Sequence, residues 1–369
     1  MRSSLVSLAA VATLAIFSQT GYAAAGDNIC PHQLGPCPKE KPCCDADGFC
    51  SDSKKACMAG YCQPKASFSP DSCQKKPACH DATYTFSKKT RIVEAFYWDG
   101  DPNSADIVVE YSPQNVKVRD NKLVLRLSPP GKDSKTGQGY GTSISLPRWL
   151  NYGIVKFRMK SASKTGGVVT SFNVRGKEGD ELDIEITNDV TRYQANTFFD
   201  GIEEFGVNMR ESPKVENGTL ATDFHDYSID WTPERAIWGL DGNQFYTLTK
   251  ESTFNATTGQ HKYPYRTGRI QFGVWDGGAG PQGTRDWAGG RVNWDQAPFE
   301  VEIESIQVSC YSGPGANNDT AEFDKASTDK NNSSGGGGNL LGGASSASWS
   351  LAAITFSAIG GILSLKSAF

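Results

Sequence analysis

The chain has 369 residues, of which 38% are hydrophobic and 11% aromatic, enough length for two domains with tails and enough apolar material for a core. Its formal net charge is only -4, with lysine and arginine scattered, which excludes the basic footprint of a nucleic-acid binder and leaves neutral polymers as expected partners. Met1 and Arg2, the apolar stretch over residues 5–17 and the small residues at 23–25 form a secretory signal peptide pattern over residues 1–25.

Nine of the ten cysteines lie between Cys30 and Cys79, a density that in a secreted chain means a disulfide scaffold, here a separate module over residues 26–82. A zinc site fits poorly, because only His32 and His80 lie nearby and paired Cys-x-x-Cys knuckles are missing. The order Cys30, Cys37, Cys43, Cys44, Cys50, Cys57, Cys62, with Gly48 two residues before Cys50, resembles the hevein-type chitin-binding module. That resemblance implies the pairs Cys30–Cys44, Cys37–Cys50 and Cys43–Cys57, leaving Cys62 to join Cys73 or Cys79 and Cys310 to join whichever remains. The favoured arrangement is Cys62–Cys73 with Cys79–Cys310, which ties the start of the following domain to its last strand. The module departs from its family where sugar would stack: of residues 45–49 and 51–56 only Phe49 is aromatic, and Asp47 and Ala56 stand where rings are expected, which weakens chitin binding.

Residues 83–311 read as many short strands punctuated by turns, without a long helical period, so an all-β antiparallel sandwich is expected. Strands are predicted at 123–127, 153–159, 168–173, 224–231 and 299–308. Asp241-Gly242 between two apolar runs marks a tight hairpin, and residues 231–235 mark a second.

Within this domain, Glu181, Asp183 and Glu185 alternate with Leu182, Ile184 and Ile186. In a strand the carboxylates share one face and the aliphatic residues enter the core. A merely solvated acidic face is the plain alternative, but like charges crowded on one face repel and acidic residues are poor strand formers, so a function is the better account. Calcium or magnesium suits carboxylate oxygens, yet those ions take ligands from loops that wrap them, which a regular strand does not offer. Retaining glycoside cleavage needs a nucleophilic carboxylate and an acid/base carboxyl about 5 Å apart. In a flat strand the Cα atoms of Glu181 and Glu185 would sit about 13 Å apart at about 3.3 Å per residue, so this chemistry demands a concave catalytic sheet. No metal or other cofactor enters the scheme.

The segment from Asp180 to Glu185 resembles the Asp-Glu-Ile-Asp-x-Glu signature of glycoside hydrolase family 16, retaining β-glucanases and transglycosylases built on a β-jelly-roll. Arg148-Trp149, Tyr152-Gly153, residues 224–231, Trp238, Asp241-Gly242 and residues 275–278 extend the likeness across the domain. With the hevein-like front module, the arrangement resembles the fungal cell-wall Crh group, which transfers chitin chains onto β-glucan. The resemblance implies Glu181 as nucleophile, Asp183 as its helper and Glu185 as acid/base. It also points to Gln194, Asn196, Trp275, Trp287, Trp294, Arg148 and Tyr152 as substrate-binding residues, the tryptophans as stacking platforms.

Beyond the sandwich, residues 312–348 are a Gly/Ser/Asn-rich linker and 349–369 a short apolar tail. Small residues near Ser334, a spacer and this tail match a glycosylphosphatidylinositol signal; a single-pass anchor is the alternative, opposed by Gly360, Gly361 and Lys366. Sequons at Asn217, Asn255, Asn318, Asn331 and Asn332 agree with secretion, and the expected location is the cell wall and the outer leaflet of the plasma membrane. The leading expectation is a transglycosylase that cuts chitin and joins it to β-glucan or chitin. A hydrolase of chitin or β-1,3/1,4-glucan on the same residues, or a non-catalytic wall lectin, are the alternatives.

Overall fold

A computed structural model describes Cys30 and residues 36–132, 134, 136–176, 179–202, 208–314 and 320–321. The predicted signal peptide, the sequons at Asn318, Asn331 and Asn332, the anchor position Ser334 and the apolar tail lie outside the described residues. Among the described residues no helix is long and apolar enough to cross a membrane.

The body is built from β1 (Ala82–Thr85), β2 (Ile92–Glu94), β3 (Ile107–Tyr111), β4 (Val116–Arg119), β5 (Lys122–Leu127), β6 (Thr142–Leu150), β7 (Gly153–Lys160) and β8 (Val168–Arg175). It continues through β9 (Glu181–Ile186), β10 (Gln194–Phe198), β11 (Arg210–Glu211), β12 (His225–Trp231), β13 (Arg235–Leu240), β14 (Asn243–Thr249), β15 (Gly268–Asp276) and β16 (Phe299–Cys310), with one helical turn, α1 (Gln282–Trp287). Sheet 1 has eight strands, in the order β14-β13-β12-β7-β16-β5-β4 with β1 also on β16. Sheet 2 has eight in the order β11-β10-β9-β8-β15-β6-β3-β2, and its β2–β3 pair is parallel. The two expected hairpins are present: β12 pairs with β13, and β13 turns into β14 through Asp241 and Gly242, both at positive φ (51° and 80°) as a tight hairpin turn requires. A jelly-roll sandwich places its core between two such sheets.

The alternation in the sequence is what sorts the residues. Leu182, Ile184 and Ile186 of β9 are buried in the main core with Phe157, Phe172, Tyr227 and Phe272. Phe157 stacks on Phe172 at 4.5 Å and on Tyr227 at 5.1 Å, bridging the two sheets. Each aliphatic side chain on β9 contributes about 1.5–3 kcal/mol on burial, which is what holds the opposite, acidic face in place.

The cysteine-rich module is held by disulfides joining Cys30–Cys44, Cys37–Cys50, Cys43–Cys57 and Cys62–Cys73, and Cys79–Cys310 ties its end to β16. These are the pairs the sequence arrangement favours. The module does not stand apart from the sandwich. Met58 packs with Trp98, Ala105 and Val108, Lys54 pairs with Asp99 at 3.1 Å, and Gly60 lies so close to Trp149 that a Cβ there would meet the ring at 2.8 Å.

Candidate active site

Register places the acidic triplet in three rows across the outer face of sheet 2, because directly paired residues point the same way. Glu181 pairs with Phe198 on β10 and Arg175 on β8; Arg175 pairs with Arg269, and Arg269 with Trp149. Asp183 is flanked by Asn196 and Asn173, with Gln271 and Ser145 beyond. Glu185 lies between Gln194 and Ser171, and Gly273 follows. Strand β9 is fixed from both sides. From the core, Trp238 donates its indole N–H to the Asp183 carbonyl at 2.9 Å. At the strand's start, buried Asp180 accepts the backbone N–H groups of Tyr265, Arg266 and Asp200 and the Arg266 guanidinium.

The three carboxyls occupy unequal surroundings. Glu181 and Asp183 are buried and Glu185 is partly accessible. Loss of water, followed by the charges of Glu181 and Glu185 and the hydrogen bond to Glu181, pushes Asp183 well above the usual carboxylate range. Burial also raises Glu181, but the Arg175 charge and the Asp183 hydrogen bond oppose that rise. Arg175 Nε lies 3.4 Å from Glu181 Oε2. Of the pair, Asp183 is therefore pushed up strongly, while Arg175 and the Asp183 hydrogen bond restrain Glu181. Desolvation and the Glu181 charge push Glu185 up to about 8, so it is protonated near neutral pH.

A wall of aromatic and amide groups stands beside Glu185. Trp275 stacks on Trp287 with ring centroids 5.9 Å apart, and Trp287 donates its indole N–H to Gln194 Oε1 at 2.7 Å. Among the described residues, three buried polar atoms on the open part of this face make no hydrogen bond, Glu181 Oε1, Asn173 Oδ1 and Trp275 Nε1, while Arg269 Nε, also unpaired, lies under Trp98. Buried polar atoms are nearly always paired, so a face that concentrates unpaired ones is built for a polar ligand.

The other expected substrate residues are distributed unevenly. Asn196 faces the triplet, although its Oδ1 accepts the Thr197 N–H. Trp294 packs edge-on against Phe299 at 5.8 Å, at the border of the core. Arg148 is committed to the module junction, donating to the Ala78 carbonyl and to Asn103 Oδ1. Tyr152 is a correction: it is a core residue, buried between Trp231 at 4.6 Å and Tyr311 at 6.0 Å, on the inner side of the sandwich. Its aromatic ring, at a positive φ of 61° just before β7, is turned inward by the bend that starts the strand. Sequence reasoning missed Asn173, Arg175, Gln271, Arg269 and Trp149. The polar alternation Ser171, Asn173, Arg175 along β8 was the signal for two of them. Of the sequons among the described residues, Asn217 is exposed in a loop and Asn255 is half-exposed in a short hairpin.

Comparison with known proteins bears on the same residues. The model for glycosyl hydrolases family 16 matches residues 103–297. Crh-like protein 2 of Aspergillus fumigatus is 34% identical over 311 residues, covering 82% of this chain and 67% of that protein. The chain belongs to glycosyl hydrolase family 16. Congo red hypersensitive protein 2 of Saccharomyces cerevisiae is 29% identical over 75% of this chain, and the chain spans 58% of that relative. Among solved structures, a Crh5 transglycosylase in complex with NAG is 25% identical with a TM-score of 0.51, covering 65% of this chain and 88% of its own. The apo Crh5 transglycosylase, at 23% identity and a TM-score of 0.52, shows the same fold. This family 16 member is therefore a β-jelly-roll enzyme of the glycosidase and transglycosylase type, and β9 is the strand that carries its acidic signature.

Proposed function

We propose that this family 16 enzyme is a retaining transglycosylase that cuts a chitin strand and passes it to a β-glucan or chitin acceptor in the fungal cell wall. The observation that carries the chemistry is the arrangement on β9: Glu181 lies 3.4 Å from the Arg175 guanidinium, with Asp183 and Glu185 following on the same face, and burial raises all three carboxyls, Asp183 strongly, Glu185 to about 8 and Glu181 against the opposing Arg175 charge. Glu181 attacks the anomeric carbon while Glu185 gives its proton to the departing glycosidic oxygen, leaving a glycosyl ester on Glu181. Glu185, now a carboxylate, takes the proton of an acceptor hydroxyl, whose oxygen displaces Glu181 and restores both groups. Asp183 donates to the Glu181 carboxylate and keeps it oriented. Gln194, Trp275 and Trp287 supply the sugar-facing wall next to Glu185, with Asn196 beside Asp183.

Transfer, as opposed to hydrolysis, is supported by the likeness to the Crh5 transglycosylase, and a chitin donor by the NAG bound to that protein. The same reading takes the leader over residues 1–25 to direct secretion and the tail over 349–369 to be exchanged near Ser334 for a lipid anchor, holding the enzyme at the outer surface. Release of the protein from intact cells by a phosphatidylinositol-specific phospholipase tests that part.

The enzymatic test pairs chitin oligosaccharide donors with labelled glucan acceptors. Cross-linked product is expected from the parent chain, with a loss of about 10⁴-fold or more in Glu181→Gln. Shortened oligosaccharides without cross-linked product assign the same residues to hydrolysis, and unchanged activity in Glu181→Gln removes the mechanism.

A further inference from the structure

The row that begins with Glu181 does not run on as open cleft. At Trp149 it passes beneath the cysteine-rich module, with the Lys76 ammonium 5.0 Å from the Trp149 ring and Gly60 abutting that ring, and Trp98 of the sandwich, packed on Met58 of the module, covers Arg269 at 5.3 Å. Val108, which shares the row of Ser145 and Asp183, is buried under Met58 and Trp98. A polysaccharide lying across sheet 2 is therefore blocked from following the sheet to its β2 edge and must rise over the module.

At the point where it would rise stands an exposed aromatic cluster. Trp98 is preceded by Phe96 and Tyr97, which are 68% and 74% exposed and meet edge to face at 5.0 Å. Large apolar side chains this open are unusual together, and here they sit beside a junction between two parts of the chain. Lys55 of the module bridges the junction, its ammonium 4.0 Å from the Phe96 ring and 5.5 Å from the Tyr61 ring. Tyr61 in turn donates its hydroxyl to Asp47, the residue standing where a hevein-type module would carry a ring.

We propose that Tyr61, Phe96 and Tyr97, grouped around Lys55 and Asp47, form a composite subsite for the continuing chitin strand whose reacting end lies at Glu181. Ring faces take the apolar CH surface of a sugar. The ammonium donates to the acetamide carbonyl and the free lone pairs of the Asp47 carboxylate accept the acetamide N–H, a pair of partners that an unsubstituted glucan lacks. The module thereby contributes to substrate binding through its own Tyr61 and two rings lent by the sandwich, although two of its stacking positions are occupied by Asp47 and Ala56. This inference rests on the proposed function for the direction of the strand.

The test measures binding to the full chain carrying Glu181→Gln, so that nothing is consumed, with long and short chitin oligosaccharides and a long β-1,3-glucan oligosaccharide as probes. The long chitin probe is expected to bind more tightly than the short one, and Phe96→Ala with Tyr97→Ala to remove about tenfold of that affinity while the short probe is unaffected. Lys55→Met, which keeps the apolar stem, is expected to reduce the preference for chitin over glucan. Equal affinities for long and short chitin, a long-chain gain that survives loss of both rings, or tighter glucan than chitin binding each overturn the proposal. The transfer assay on the parent chain decides the proposed function independently of this binding measurement, so the two fail separately.

Discussion

On the outer face of sheet 1, Glu300 lies 2.8 Å from Arg119, Glu302 lies 3.1 Å from Lys160 and Glu304 lies 2.8 Å from Arg158. On the outer face of sheet 2, Glu181, Asp183 and Glu185 crowd together with Arg175 as the cation beside them, 3.4 Å from Glu181 and acting more weakly on Asp183. Both faces come from acidic residues alternating along a strand, on β16 in one case and β9 in the other. The difference lies in what register sets beside them. Cross-strand cations pair the β16 carboxylates, of which Glu304 is well exposed and Glu300 largely covered; against the rise that burial alone would cause, the Arg119 and Arg126 hydrogen bonds and charges hold Glu300 below its usual range. Burial without matching cations turns the β9 carboxylates into groups that compete for protons, which is the property general acid/base chemistry uses.

The largest separation of the two faces is expected in activity. Glu185→Gln should cost about 10²–10⁴-fold in transfer, read by product formation, because the leaving oxygen loses its proton donor. Glu304→Gln on the other sheet should leave transfer unchanged. If both variants lose activity alike, the distinction between the faces collapses.

Next in size is the pH profile. With Glu185 raised to about 8, transfer should fall as pH rises through that value, since the acid is then lost. Arg175→Met should lower the rate about tenfold and move the acid limb upward, because the Arg175 charge is what opposes the rise of Glu181. A profile unchanged in that variant would make Arg175 a packing residue only.

Stability should separate the faces in the same sense but more weakly. Glu185 has a folded pKa above its unfolded value, so the neutral form favours the fold. Its contribution is complete below about 4.3, the unfolded value, and is lost as pH rises to about 8. Glu185→Gln should therefore melt higher than the parent above pH 8 and lose that part of the pH dependence in thermal scans. The smallest effect belongs to Arg158→Ala, whose partners Glu304 and Asp226 are both well exposed: about 1 kcal/mol or less in denaturant unfolding, weaker in high salt.

Much of the site was legible because it is local. The triplet, its aliphatic complement and the Asp241-Gly242 turn all lie within a few residues of one strand or hairpin, where period-2 alternation and turn chemistry act directly. Gln194 and Trp287 were singled out separately, yet only folding brings the indole N–H to the amide oxygen, 93 residues apart. Tyr152 failed for the same reason in reverse: an aromatic beside a glycine at a strand start carries no mark of the face it will take.

The sequence by itself determined which residues of β9 face the core and the antiparallel all-β class, since both follow from short-range periodicity and turn chemistry, while the first three disulfide pairs were implied by the resemblance to the hevein-type module. Tertiary structure alone decided that Arg175 reaches Glu181, that unpaired polar atoms gather on sheet 2 and that the cysteine-rich module covers Trp149. Those outcomes depend on the register of β8, β9, β15 and β6 and on a contact between distant segments, which no single stretch of chain encodes.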